Sequence, residues 1–400
     1  MAQRNLILLD PASSINLWPL SRTRPLADLR CGILSIREKW EYYLDAQASN
    51  YCNSTLSQVF PVQVEEENWI ILGSLIPEIE IIKRIHSLKL GQCIESPEGQ
   101  FIAAHLNKNE CLDFMNGTKN QSDTASISLF RLLEFPWQLF QWNAEELEKD
   151  FELLTKNRAS QNPDSSNTLL GGRIFIEEGA QVICSTLNAN QGPIYIGKNA
   201  EVMEGCMIRG GFALGEDAQL KMGAKIYGAT SIGPGCRVGG EVSNSIIQAH
   251  SNKAHDGFLG NSLIGEWCNI GADSNSSNLK NNYDEVKVWN YQQQRFIRTG
   301  SQFCGLIMGD HAKCGINTMF NTGTLVGVGA NVFGDGFPRQ FIPDFAWGGA
   351  SGYNTFQLDK FFITAEIVMN RRNKILSENQ KQLLERIFQE SAVYRNWESS

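Results

Sequence analysis

The chain has 400 residues, of which 42% are apolar and 20% charged, and a formal net charge of −8. That length suggests two or three domains of ordinary soluble composition, and the negative balance argues against a broad nucleic-acid surface. No run approaches the roughly 20 apolar residues of a membrane span, and ten cysteines without CxxC spacing argue against a disulfide framework or a structural zinc. A cytoplasmic protein with free thiols, no membrane insertion and no nucleic-acid partner is the expectation.

The apolar run at Leu6 to Leu9 is too short for a signal-peptide core, and Asn5 to Asp10 reads as a buried strand. Ile36 to Leu44 and Asn143 to Leu154 read as helices, and Trp69 to Gly73 as another strand. Residues 1–155 are therefore expected to form a mixed α/β domain. The polar stretch from Lys156 to Thr168, with one proline and no apolar period, marks a linker over 156–170.

A period of six then takes over. Aliphatic residues stand at Ile196, Val202, Ile208, Leu214, Leu220, Ile226, Ile232 and Val238. Four positions after each comes Ala200, Cys206, Phe212, Ala218, Ala224, Thr230, Cys236 or Val242, mostly small. The pattern resumes at Ile264 and Ile270, and again from Met308 through Cys314, Phe320, Val326 and Val332. Six is neither the helical period nor simple alternation, so the spacing predicts a solenoid of short strands over 171–345, with glycine easing the corners. Cys206, Cys236, Cys268 and Cys314 occupy repeat positions and read as core. Beyond it, 346–400 is expected to be helical, over Gln357 to Arg372 and from a capping box at Ser377 and Gln380 onward. These helices would cover apolar surface that the terminal coils leave bare.

The hexads break at about 243–258 and 274–305, and such breaks commonly carry binding loops. His250 and His255 fall in the first; the second is dense in Asn, Lys and Tyr. An amino sugar is mostly ammonium at neutral pH and only its free amine attacks a thioester, so a base titrating near 7, typically His, suits the reaction.

The segment NKAHDGFLGNSLIGEWCNIGADSNSSN resembles the acetyltransferase half of the bifunctional glucosamine-1-phosphate acetyltransferase/N-acetylglucosamine-1-phosphate uridylyltransferase family. FCGLIMGDHAKCGIN resembles the archaeal sugar-1-phosphate nucleotidylyltransferases that carry acetyltransferase domains. The resemblance implies a left-handed parallel β-helix, a homotrimer, acetyl-CoA as cofactor and a sugar phosphate as acceptor. It implies His255 as the base and Asn278 orienting the sugar, with Lys253, Phe258, Asn269, Tyr283 and Lys287 meeting the acceptor. Backbone around Gly271, Ala272, Gly315 and Ile316 would meet the acyl-CoA. The glycine that usually precedes the histidine is missing, Phe258 replaces the commoner Tyr, and the loop after Asn278 is long, which bears on acceptor identity.

The front end resembles a reduced sugar nucleotidyltransferase domain, as in the Bacteroidetes-type sugar nucleotidyltransferases that the whole chain resembles. Their glycine-rich phosphate loop is absent, since no glycine stands between Asp10 and Gly32. Pro19 to Pro25 echoes its basic half, so Arg22 and Arg24 would hold phosphates, or serve as ordinary surface charges. Asp10 is the one early carboxylate placed to hold Mg²⁺, needed only if this domain is active. The leading expectation is N-acetyl transfer to an amino-sugar phosphate, coupled to nucleotidyl transfer if the front end is active. Two others stay open: a nucleotidyltransferase on a trimerising scaffold, and a non-catalytic sugar-nucleotide-binding module.

Overall fold

The structure, a computed structural model, describes residues 4–118 and 123–398. Its contacts divide into two units: one of 1–17, 23–29 and 34–134, the other of 18–22, 30–33 and 135–400.

The first unit is an α/β sheet. Its strands are β1 (Arg4–Leu9), β2 (Ala46–Tyr51), β3 (Glu67–Leu72), β4 (Gln92–Glu95), β5 (Phe101–Asn107) and β6 (Asp123–Ser126). They lie in the order β2-β1-β3-β5-β4-β6, with β1 parallel to both neighbours and β5 antiparallel to both of its own. The run Leu6-Ile7-Leu8 is wholly buried, as befits a strand covered on both faces. Helices α1 (Ile36–Leu44), α2 (Ile79–His86) and α3 (Lys108–Met115) join these strands. α1 and α3 begin with capping boxes, Ser35 with Glu38 and Asn107 with Glu110, so their first amides are satisfied locally.

The second unit opens with helix α4 (Trp137–Thr155). Leu147 and Phe151 pack with Ile33, Phe175 and Ala213. Its buried polar side chains are used up: Asn143 accepts from the Gly32 amide and from Ser231, and Asp150 accepts from the Ile33 amide. The stretch 156–170, expected as a linker, is tied to the coil after it. Gln161 donates its amide to the Ile176 carbonyl, and Thr168–Leu170 pairs with Thr186–Asn188.

From there the chain winds as a parallel β-helix. Strands of two to four residues fall on three faces, which we call A, B and C, holding eight, nine and ten strands among the described residues. The chain visits them in that order, as at Ile174–Ile176 on B, Gln181–Val182 on C and Thr186–Asn188 on A, until the last coil, which passes from Asn331–Val332 on C to Phe341–Ile342 on B. Phe212 lies opposite Thr230, 18 residues on, so three hexads make one coil. This geometry is consistent with a left-handed β-helix. The aliphatic series and the small residues two positions ahead of each next one point inward together, because residues two apart on a strand share a side. They form one continuous core that includes Cys206, Cys236, Cys268 and Cys314.

The first break in the hexads is not a loop. Val238 pairs with Lys253 15 residues on, and Val242 with Leu259, so shortened corners carry the register through. Lys253 simply occupies an inward aliphatic slot. The second break is a true insertion: Ile264 pairs directly with Met308, and the residues between include a hairpin of Lys287–Asn290 with Arg295–Arg298. An antiparallel pair, Ala346–Gly349 with Gly352–Thr355, ends face C before α5 (Leu358–Asn370) and α6 (Glu378–Glu390).

Candidate functional site

Face C carries a cleft of about 630 Å³. One rim comes from the B-to-C corners, with His250 and Trp267, and the other from the C-to-A corners, with Ala254, His255, Gly271, Ala272 and Ile316. Its floor is the outward row of face C, Arg237, Asn252, Asn269 and Lys313, with Lys221 just past the strand of the preceding coil. The end of α5 adds Val368, Arg371 and Arg372.

The B-to-C rim is a stack. His250, Trp267 and His311 hold the same corner position in successive coils, each in the left-handed backbone region. The His250 and Trp267 rings stack at 4.4 Å between centroids, and Trp267 stacks on His311 at 6.3 Å. Phe361 of α5 meets His311 edge-on, which ties that helix to the corner.

On the other rim His255 is exposed, and its imidazole makes no hydrogen bond among the described residues. Its turn is held from below. Lys253 is buried, and its ammonium donates to the Gly239 carbonyl at 3.0 Å and to the His255 carbonyl at 2.7 Å. Burial pulls that ammonium's pKa down to about 8. Lys253 was expected to meet a sugar phosphate; its charge instead lies inside the coil.

The four backbone positions expected at the acyl-CoA differ among themselves. The Gly271 amide donates to the Cys314 carbonyl and the Gly315 amide to that of Val332, so both are spent on the coil ladder. Ala272 and Ile316 have no such partner among the described residues, and both line the cleft. Only glycine fits at 271, where a Cβ would stand 2.3 Å from the Gly315 carbonyl oxygen.

The remaining expected residues do not line the cleft. Phe258 and Asn278 sit together on the face A side of the corner, over Gly260, where a Cβ would meet the Phe258 ring at 2.5 Å. Asn278 donates to the Asn261 side chain at 2.8 Å. Tyr283 and Lys287 are exposed on the insertion. Arg22 is not a phosphate ligand in waiting: it is buried against Asp344 at 3.1 Å and lies over the Trp18 ring at 3.9 Å. Arg24 is buried in the first unit.

Asp10 does not fit a magnesium site. One of its oxygens accepts the Leu26 amide at 2.9 Å, the other is buried without a partner, and burial raises the carboxyl to about pH 7. Among the described residues no group of three or more His, Cys, Asp or Glu side chains could hold a metal ion. Mg²⁺ wants several open oxygen positions, which one half-used carboxyl does not supply.

What the sequence reading missed is the charge. Among the described residues five cations, Lys221, Arg237, Lys313, Arg371 and Arg372, line the cleft, and no carboxylate does. Arg237 and Lys313 each precede an inward hexad residue, so their outward placement on one face was there to be read from the repeat. Arg371 and Arg372 come from a helix far along the chain and carried no such signal.

Residues 6–159 match the family model described as sugar nucleotidyl transferase. The bifunctional protein GlmU of Methanocaldococcus jannaschii is 38% identical over 87 residues, which cover 22% of this chain and 21% of that one. The bifunctional protein GlmU of Nocardia farcinica is 28% identical over 196 residues, 46% of this chain and 35% of that one. Over these segments the chain is similar to proteins named bifunctional GlmU. It spans only about a fifth of the length of the first curated relatives it matches, the archaeal ones. Among solved structures, the Arabidopsis UDP-N-acetylglucosamine acyltransferase covers 51% of this chain, and 77% of its own length is covered, at 14% identity with a TM-score of 0.27. No described helix is long and apolar enough to cross a membrane.

Proposed function

We propose that the face C cleft transfers an acyl group, acetyl first, from an acyl-CoA to the amine of an amino-sugar phosphate of the glucosamine-1-phosphate kind. The observation that carries this reading is His255, an exposed imidazole without a structural partner, on the rim of a cleft that also offers the unspent amides of Ala272 and Ile316. The similarity to proteins named bifunctional GlmU supports it.

In this reading His255 takes the proton that the amine sheds as its nitrogen bonds to the thioester carbon. The Ala272 and Ile316 amides face the developing oxyanion, and as the C–S bond breaks His255 passes its proton to the sulfur, which leaves as the thiol. Among the described residues His255 lacks the third group that usually orients such a base. A second copy supplying that neighbour fits the homotrimer implied by the resemblance, which light scattering would test. The test of the activity is thiol release from acetyl-CoA with a panel of amino-sugar phosphates. Turnover that falls by about 10² or more in His255→Ala is the expected result for a lost general base; unchanged turnover would overturn the assignment of His255.

The family match over 6–159 favours a second activity, sugar-1-phosphate nucleotidyl transfer by the first unit. It predicts pyrophosphate release that survives His255→Ala.

A further inference from the structure

The cleft holds a concentration of like charge that the fold does not need. The chain as a whole is acidic, yet five cations and no carboxylate face this one space. None of the five forms an ion pair among the described residues. Three have neutral partners only: Lys221 donates to Gln219, Lys313 to the His311 carbonyl and Arg372 to Asn252. The Nε of Arg237 is buried with no hydrogen-bond partner among the described residues.

Arginines at the end of a helix favour its dipole, which would account for Arg371 and Arg372 alone. It does not account for Arg237, Lys221 and Lys313, which stand on the β-helix face where no helix ends. Nor does it explain why the three arginines crowd together: burial, followed by the charges of Arg237 and Arg371, holds the Arg372 guanidinium below its ordinary range. Partly desolvated like charges repel each other, and a bound anion with several oxygens would reverse that cost while using the open donors.

We propose that Arg237, Arg371 and Arg372, with Lys221 and Lys313, form a binding site for a diphosphate or a closely spaced pair of phosphates. It rests on the cleft being the ligand site of the proposed transferase, though not on His255 being the base. The multiple charge matters, because one phosphate monoester would leave most of the cations uncompensated. Two sources share this chemistry: the phosphate-bearing end of the acyl donor, and a nucleoside-diphosphate-linked acceptor. The C-terminal helix is thereby part of the site as well as a cover for the coil.

The experiment is calorimetric titration of the full chain at low salt with inorganic pyrophosphate, 3′-phosphoadenosine 5′-diphosphate and UDP. Pyrophosphate is expected to bind the wild-type protein, at least tenfold more weakly to Arg371→Gln/Arg372→Gln and to Arg237→Gln, and with unchanged affinity to His255→Ala. The helix-end pair and the strand arginine test the site independently, should either loosen α5. Tighter binding of 3′-phosphoadenosine 5′-diphosphate than UDP would place the acyl donor here, the reverse order would place the acceptor, and equal binding would mean that the site reads phosphates alone. Absence of pyrophosphate binding at millimolar concentration, or wild-type affinity in both variants, would overturn the proposal. Because His255→Ala is titrated and assayed for thiol release in the same preparations, failure of the base and failure of the phosphate site read out separately.

Discussion

The Lys253 ammonium reaches the His255 carbonyl at 2.7 Å from inside the coil, two residues before it in the chain. A lysine in an aliphatic slot thus anchors the turn that presents the candidate base. Lys253→Met would fill the slot with a straight apolar chain and remove a desolvated charge, while leaving the Gly239 and His255 carbonyls without a donor. These effects oppose each other, so global stability should change by no more than about 1–2 kcal/mol. Thiol release should nevertheless fall about tenfold, since a base misplaced by an ångström costs that much or more. Full turnover in the variant would show that the anchor is dispensable.

The same lysine has a pH signature. Its folded pKa, about 8, lies below the ordinary 10.5, so between those values the unfolded chain binds the extra proton. Stability from this group therefore rises with pH from about 8 to 10.5, by roughly 3 kcal/mol at most. Urea unfolding at pH 7.5 and 10 should show this rise in the wild-type protein and a smaller one in Lys253→Met. Equal pH dependence in the two would contradict it.

Asp10 carries the opposite sign. Its carboxyl is raised by burial to about 7 from 3.8, so the folded chain holds the extra proton in between, and stability falls as pH climbs from about 4 through 7. Asp10→Asn keeps the acceptor for the Leu26 amide and removes the buried charge. It is expected to stabilise the protein above pH 7 by a few kcal/mol, about 4 as an upper bound, with little effect at pH 4. If pyrophosphate release is found and Asp10→Asn abolishes it without loss of stability, the carboxyl has a role that its surroundings do not suggest.

How much of this was legible depended on whether a residue's partner was close in sequence. The hexad series from Ile196 to Val238 fixed three faces and the core, because each inward residue repeats the last and the coil's contacts are local. Lys253 hid the continuation: a charge in an aliphatic slot reads as a break, although the backbone pairs on with Val238 behind it. His255 could be picked out by its motif and the outward placement of Arg237 and Lys313 by the repeat, but nothing local placed Arg371 and Arg372, at the end of a distant helix, beside them. Arg22 looked like a phosphate ligand because nothing in its neighbourhood names Asp344 as its partner.

That ion pair supports a sharp test. Arg22 lies 2% exposed and Asp344 0% exposed at their side chains, with the Asp344 carboxylate also accepting the Val328 amide at 2.7 Å. Removing one member leaves the other buried without its counter-charge, which costs about 3–5 kcal/mol. Arg22→Leu should therefore lose stability of that order in chemical denaturation, and adding Asp344→Asn should recover a good part of it, because the unpaired charge is then gone. A merely additive double variant, or an Arg22→Leu protein as stable as wild type, would return Arg22 to the candidates for a phosphate contact.

Ile226 tests the coil register itself. It is 1% exposed on face A, between Ile208 in the coil before and Val242 in the coil after. Its ladder neighbours Ile208 and Val242 are buried and apolar, so a carboxylate there has no counter-charge beside it and no route to water. Burying it unpaired costs several kcal/mol, and the cost is not confined to one coil, since each coil is the template for the next. Ile226→Asp should yield insoluble or grossly misfolded protein, whereas Met207→Asp, on the outward side of the same face and 57% exposed, should fold normally by circular dichroism. A soluble Ile226→Asp protein with the wild-type spectrum and melting temperature would mean that the inward series has been assigned to the wrong residues.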